Sequence, residues 1–433
     1  MRNTQPLLAL ALAGACAAPA AVLGQTAEHK APGSGVEHGA TARASTVQIY
    51  GTLNLNFQNA SRKGATAAGT TGLATLAAAP NGIDAVQRNG VSTDSSNIGF
   101  RGIEDLGGGL KATFQIESNA QIDGENAGSL IGSRNSKVGV AGNFGEIFFG
   151  NWDTPFKAGT YGTLIQDPFR STDVFGWQSI MSSPGFNQRS GSYRSGTPTA
   201  SFDQRANNSV NYWTHKYAGF SGKVAYSANE GKTSGSNAIN PYLWSATINY
   251  DNGPLSLLYS YDQRRDAFGL TVMQAASTGT SSKDTGNRLG VGYQFGGTIV
   301  SALWERLDYR NSGTVAGVTN YKRDAWQLAA LHRLGPHEFK LRYNRAEDGS
   351  CSNVAGNCTT NGLGATQWTV GYGYNLSKRT ELYAFYTKIR NRESASYTFT
   401  IGGPAQVSTP AAGTGAGVGS DPAAAGVGIR HSF

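Results

Sequence analysis

The chain has 433 residues, and 58 of them are Gly, roughly twice the usual ~7%. Charged residues make up 15%, against a usual ~25%, and Tyr (19) and Phe (18) are plentiful, so neither a coiled coil nor a large dry core fits. No apolar run reaches the ~18 residues of a transmembrane helix, but a membrane is not thereby excluded, because a β-barrel hides its apolar half in alternation.

Met1 to Gln5 carries one positive charge, Leu7 to Ala15 is apolar, and small residues crowd Ala17 to Gly24. This pattern predicts a secretory signal peptide over 1–24, with cleavage after Ala21 or Ala27 as alternatives to Gly24. A lipoprotein signal ending at Cys16 is disfavoured, because Leu12 stands one place too far away. Residues 25–45 are polar and read as disordered.

From Val47 the chain alternates. Val47, Ile49, Leu53, Leu55 and Phe57 interleave with Gln48, Tyr50, Thr52, Asn54 and Asn56. The same two-residue period recurs at Leu110 to Glu117, Trp244 to Tyr250, Leu255 to Tyr261, Leu289 to Phe295, Glu338 to Tyr343 and Trp368 to Tyr374, and the chain closes on Val427 to Phe433. Short turns are expected at Glu104 to Gly109, Gly142 to Gly145, His215 to Gly219, Asp251 to Pro254, Gly296-Gly297, Gly335-Pro336 and Asn375 to Arg379. Between them lie long polar stretches at 59–94, 119–134, 152–206, 229–241, 262–286, 310–322, 345–365 and 391–424, the last rich in Ala, Gly and Pro and read as mobile. Seven short and eight long connections imply sixteen antiparallel strands, an even number that lets the sheet close. Closure matters because lipid offers no partner to a free strand edge. The expected fold is an all-β, sixteen-stranded transmembrane β-barrel over 46–433. A secreted propeller or solenoid is the rival, and the lack of a fixed repeat counts against it.

Cys351 and Cys358 flank a polar segment, and in an exported chain they are expected to form a small loop disulfide. No Cys-x-x-Cys or His-x3-His spacing suggests a metal, and no hydrolase, zincin or phosphate-loop motif is present. No enzyme activity, metal or cofactor is expected.

The segments Ser45 to Gly51, Gly99 to Ala112, Phe114 to Glu117, Val138 to Gly145, Arg205 to Tyr212 and Gly428 to Phe433 resemble, in order, the general porins of Gram-negative bacteria, especially the trimeric type of beta-proteobacteria. The resemblance covers nearly the whole chain after the signal. It implies a homotrimer in the cell outer membrane, with short periplasmic turns, long extracellular loops and a third loop folded into the barrel. It implies as partners the lipid bilayer and lipopolysaccharide, the barrel assembly machinery, and small hydrophilic solutes and ions, with no nucleic acid. Phe433 is implied to be an assembly signal, and a terminal aromatic also suits the interface belt. One departure is Asn151, where the family usually has Arg after the Gly of strand five.

Strand parity selects lumen residues. With Ile98 and Phe100 outward, Arg101 points inward; the same logic turns Lys111, Glu117, Lys137 and Arg205 inward. Arg134 has the wrong parity unless its strand starts at a bulge, yet it resembles the family's pore arginine. The long segment 152–206 holds Asp153, Asp167, Arg170, Asp173, Arg189 and Arg194 among aromatics. Ile147, Phe148 and Phe149 are apolar on both faces, so the inner face of that strand is expected to pack on the inserted loop. The predicted constriction sets Arg101, Arg134, Lys137 and Arg205 against Asp167 and Asp173, a transverse field with mild anion preference. Loss of the signal removes only Arg2, leaving 35 basic against 28 acidic side chains. The expected function is passive diffusion of small hydrophilic solutes and ions. The alternatives are a substrate-specific channel, and a barrel platform acting as an adhesin or outer-membrane hydrolase.

Overall fold

The structure is a computed structural model that describes residues 45–65, 84–123, 131–171, 175–185, 191–193, 200–228, 230–235, 238–270, 281–312, 318–353, 356, 358–399 and 419–433. The expected signal peptide and nearly all of the polar segment after it lie outside these residues, as do Asp173, Arg189 and Arg194.

Within the described residues, alternation builds a single closed antiparallel sheet. Its strands are β1 Thr46–Lys63, β2 in two parts Ala85–Thr93 and Asn97–Gly107, β3 Leu110–Asn119, β4 Ser136–Gly142, β5 Gly145–Asp153, β6 Gln204–Trp213, β7 Phe220–Ser227 and β8 Tyr242–Asn252. They continue with β9 Leu255–Arg265, β10 Ser281–Phe295, β11 Thr298–Ser312, β12 Val318–Leu334, β13 in two parts His337–Ala346 and Ser350–Asn353, β14 Ala365–Asn375, β15 Thr380–Asn391 and β16 Asp421–Ser432. These are the sixteen strands that turn counting implies. A further three-residue segment, Gly191–Tyr193, runs parallel to β6.

β1 closes the barrel against β16, from Thr52 opposite Ser432 to Lys63 opposite Asp421. At the seam Gly51 and Phe433 exchange both backbone hydrogen bonds, at 3.2 and 3.0 Å. Gly51 must lack a side chain, since a Cβ there would stand 2.6 Å from the Phe433 ring. β2 is interrupted at Asp94–Ser96, where Ser95 takes a positive φ of 54°. The Ser96 hydroxyl substitutes for the lost ladder, accepting from Asn54 N at 2.8 Å and donating to Asn54 O at 3.0 Å.

The apolar positions form the outer face. Phe57, Phe100, Leu289, Val291, Leu328, Val370 and Ile429 are all exposed, as lipid-facing residues of a barrel must be. Their neighbours Asn54, Asn56, Gln115, Arg288, Gln327 and Thr369 point inward and are buried. Several strands run further than the alternation suggests. β1 extends to Lys63, and β10 starts at Ser281, inside a stretch read as loop. Beyond the lipid both strand faces are polar, so the sequence period fades while the ladder continues.

Candidate functional site

Residues 154–203 link β5 to β6, and the stretches 154–171, 175–185 and 200–203 lie inside the barrel. The segment opens with one helical turn, α1 Pro155–Ala158, whose first position is Pro and whose cap is Thr154, accepting from Lys157 N. Arginines projecting inward from β9 to β16 hold it. Arg264 donates to Ser201 O at 2.7 Å, and Arg288 to Phe156 O at 2.9 Å and Ser182 Oγ at 2.6 Å. Arg323 donates to Ile180 O at 2.9 Å, Arg342 to Asp167 Oδ2 at 2.5 Å, and Arg430 to Phe169 O and Arg170 O at 3.2 and 3.1 Å. The guanidinium suits this work, offering five donors in a rigid fork that stays charged. Glu305 balances two of them, at 2.6 Å from Arg288 and 3.4 Å from Arg323.

Apolar packing completes the docking. Phe169, Phe175, Ile180 and Met181 are buried with the inward residues Leu258, Leu303, Tyr383 and Phe385, and Phe175 stacks on Phe385 at 4.1 Å. Gly292 on β10 makes room, since a Cβ there would lie 2.8 Å from the Leu164 carbonyl carbon.

With the loop docked on that side, a charged cavity remains against β4 to β6. It is lined by Arg134, Lys157, Arg170 and Arg205, and by Asp153, Asp167 and Asp203. Lys157 lies 3.3 Å from Asp153 and 3.5 Å from Asp203, and Arg205 lies 3.4 Å from Asp153. Arg134 comes just before β4, where parity does not yet apply. Its Nε donates to Glu117 Oε1 at 2.6 Å and its Nη1 to Asn119 Oδ1 at 3.1 Å, which turns it inward. Asn151 supports it by donating to the Arg134 carbonyl at 3.0 Å.

Arg170 leads to a second group of charges. It stands 3.4 Å from Glu381 and 3.5 Å from Glu338. Lys340 and Arg430 also pair with Glu381, and Lys340 and Arg333 with Glu338. Four cations thus share two carboxylates. Burial lowers the Arg170 pKa from its ordinary value, and Arg430 adds to this, against the pull of Glu381 and Glu338. Burial raises the Asp167 carboxyl, with Arg342 opposing.

The remaining predicted constriction residues sit elsewhere. Arg101 lies along the wall, its Nε donating to Gln48 Oε1 at 3.0 Å and its guanidinium 4.7 Å over the Tyr50 ring. The Tyr50 hydroxyl donates in turn to Glu117 Oε2 at 2.9 Å. Lys137 is buried, 2.5 Å from Glu146 and 4.4 Å over Phe148. Phe148 itself is fully buried, its ring partners being the wall residues Trp152 and Trp213. Sequence reasoning overlooked Lys157 and Asp203 and the arginine row of β9 to β16. Inward parity on those strands was the available signal.

Cys351 and Cys358 form a disulfide with a Cα–Cα distance of 5.8 Å, packed against the cluster that holds Phe156 and Phe202 of the loop with Tyr309 and Tyr321 of the wall.

Residues 7–394 match the family model described as Gram-negative porin. The chain is 30% identical to outer membrane porin protein 32 of Delftia acidovorans, over 80% of this chain and 86% of that one. It is 28% identical to an outer membrane porin protein of Bordetella pertussis, over 80% of this chain and 84% of that one. Among solved structures it resembles the anion-selective porin from Comamonas acidovorans, with a TM-score of 0.65 and 28% identity over 90% of this chain and 100% of that one. The trimer form of OmpT of Vibrio cholerae shares the fold, with a TM-score of 0.57 at 14% identity over 90% of this chain and 100% of that one.

Proposed function

We propose, for a chain that belongs to the Gram-negative porin family, that the cavity between the third loop and β4 to β6 is the constriction of its channel. The protein is an outer-membrane porin, a closed barrel through which small hydrophilic solutes and ions diffuse passively. In this proposal Arg134, Arg205, Lys157 and Arg170 set the positive side of the constriction, and Asp153, Asp167 and Asp203 the negative side. Arg101 contributes from the wall on the short-turn side, and Lys137, paired with Glu146, serves mainly to hold the wall together. Asp173 would add to the loop's negative charge.

The observation that carries the reading is the surplus of cations. Four line the cavity against three acids, and one of the four, Arg170, joins Arg333, Lys340 and Arg430 in sharing two carboxylates. Water confined between low-dielectric walls feels that surplus strongly, which raises the local anion concentration. The Comamonas acidovorans porin is anion-selective, which supports the same sign here. We therefore assign a mild anion preference, read as the sign of the reversal potential across a KCl gradient in planar bilayers. A cation-selective sign would overturn it.

The proposal extends to assembly. The protein is a homotrimer made after removal of a signal peptide over 1–24, with 46–433 as the barrel domain and Phe433 read by the assembly machinery. It assigns no catalytic activity, since the relatives carry porin names. Enzyme assays on the purified protein that detect turnover would refute that part.

A further inference from the structure

The connection from β9 to β10 is the fifth loop, and its first residues, 266–270, turn into the barrel. Leu270 is buried in the cluster that holds Phe156, Ala200, Phe202 and Tyr309, and Ala267 in another with Ala206 and Leu243. The turn is strained: Asp266 and Phe268 take positive φ of 47° and 50°, a region that non-glycine residues rarely occupy. Hydrogen bonds to β10 hold it. Asp266 Oδ1 accepts from Ser282 N at 2.9 Å, Phe268 N donates to Ser282 Oγ at 2.8 Å, and Gly269 N donates to Asp284 Oδ2 at 2.9 Å. The fit at Gly269 is tight, since a Cβ there would stand 2.6 Å from the Tyr309 ring.

Asp284 is the weak point of this docking. On the inner face Arg264, Asp284 and Tyr309 stand directly opposite one another across β9, β10 and β11. Arg264 is committed elsewhere: it donates to Ser201 O and Gln204 Oε1 and lies 3.7 Å from Asp262. Asp284 is fully buried, and among the described residues it forms no ion pair. Two buried carboxylates, Asp262 and Asp284, thus face one cation. Inside the barrel, Arg288, Glu305, Tyr321 and Arg323 stand around this row, and Asp266 joins it from the turn itself. The third loop brings Ala200, Ser201 and Phe202, none of which titrates. On the outer face, Asp308 sits beside Arg310, with Arg265 and Lys283 on the neighbouring strands. These outward residues are polar, and the apolar belt of β10 begins only at Leu289, so the row stands beyond the lipid. A carboxyl desolvated without a partner favours its neutral form. Burial pushes Asp284 up to about 7, against the pull of Arg264.

We propose that Asp284 makes residues 266–270 an acid-set brace for the third loop, docked when its carboxyl is protonated and released when it ionises. The brace acts through Tyr309, whose hydroxyl donates to Ala200 O at 2.5 Å and whose ring meets Phe202 at 5.8 Å. It therefore bears on residues 200–202, next to Asp203 of the charged cavity. Docking raises the carboxyl above its ordinary range near ~4, so docking is strongest below that range and is lost as pH rises through about 7. Only its effect on conduction rests on the cavity being the constriction; the brace is independent of the ion preference.

The test is hydrogen exchange by mass spectrometry on the full-length protein in detergent, corrected for intrinsic rates, from about pH 5 to about pH 8. Protection of 266–270 and of 200–203 should fall together roughly 10- to 100-fold as pH rises, because each pKa unit of displacement is a tenfold change. Asp284→Asn, neutral at every pH, should keep both segments protected throughout. A flat profile in wild type overturns the proposal, and so does a fall that persists in Asp284→Asn or one confined to 266–270. Should that variant fail to fold, Asp262→Asn decides: it leaves Arg264 to Asp284 and should move the fall to lower pH, and an unmoved midpoint overturns the proposal. Reversal potentials are recorded in parallel, and a cation-selective sign with this exchange pattern intact counts against the anion preference only.

Discussion

Arg342 on β13 donates through Nη1 to Asp167 Oδ2 at 2.5 Å, joining the barrel wall to a loop residue 175 positions earlier in the chain. Arg342 is fully buried, and its other donors reach Phe175 O and Thr369 Oγ1. The pair therefore does more than set a local field: it holds the third loop in the lumen. Removing one partner of a buried pair strands the other charge, at a cost of about 3–5 kcal/mol. Arg342→Ala should loosen the loop while leaving the barrel closed, giving larger and noisier single-channel conductance. A unitary conductance identical to wild type would show that the other anchors suffice.

Gly292 tests the same docking by size rather than charge. A side chain at this position meets the Leu164 backbone, and overpacking of this kind typically costs ~1–3 kcal/mol. Gly292→Val should displace the loop near Leu164 and Ile165 and change the conductance, with strand content by circular dichroism unchanged. If conductance stays put, the loop can shift at that point without altering the passage.

The disulfide belongs to a different cluster, none of whose members lines the charged cavity. Cys351 and Cys358 pack against the cluster containing Val318, Tyr321 and Leu363, beside the second part of β13. Closing so short a loop contributes roughly 2–3 kcal/mol in the chain-entropy model. Reduction should speed hydrogen exchange in 350–363 and leave ion selectivity untouched. A shift in reversal potential on reduction would instead tie this loop to the constriction.

The barrel was legible because lipid writes its period into the chain. Phe57, Leu289 and Val370 face hydrocarbon, and their neighbours Asn56, Arg288 and Thr369 do not. The same argument points Arg205 inward, and it lines the cavity, yet parity could not place Arg134, which precedes β4 and is aimed by Glu117 and Asn119 instead. Nor could it say that Lys137 is matched by Glu146, because that pairing depends on the register of β4 against β5. The largest omission was the arginine row from Arg264 to Arg430. Its members lie on strands remote in sequence from the third loop, and only closure of the sheet brings them to its carbonyl groups.

At the seam, Phe433 is held by both backbone bonds to Gly51 while its side chain stays partly exposed beside the barrel end. Deleting Phe433 removes the last pairing of β16 with β1 and the terminal aromatic. Outer-membrane yield should fall severalfold, with export to the periplasm intact, as measured by fractionation and the heat-dependent shift of folded barrels on gels. Unchanged yield would leave Phe433 as an ordinary strand end.

Selectivity gives the sharpest test of the lumen. Arg134 and Arg205 flank the cavity from the wall, each about one-seventh exposed, with side-chain accessibilities of 14%. Arg134 is tied to Glu117 and Arg205 to Asp153, so neither is a free charge. Replacing Arg134 with Ala leaves Glu117 without its cation, replacing Arg205 leaves Asp153 with Lys157 alone, and each change removes one positive unit from the local balance. Both substitutions should move the reversal potential across a KCl gradient toward cations, and the double variant should move it further. Arg101→Ala should have a smaller effect, because Arg101 lies outside the cavity, against Gln48 and Tyr50. The ordering is what matters, since net charge alone would give all three the same weight. If Arg101→Ala shifts selectivity as much as Arg134→Ala, the constriction extends to the Tyr50 wall and the cavity is only part of it.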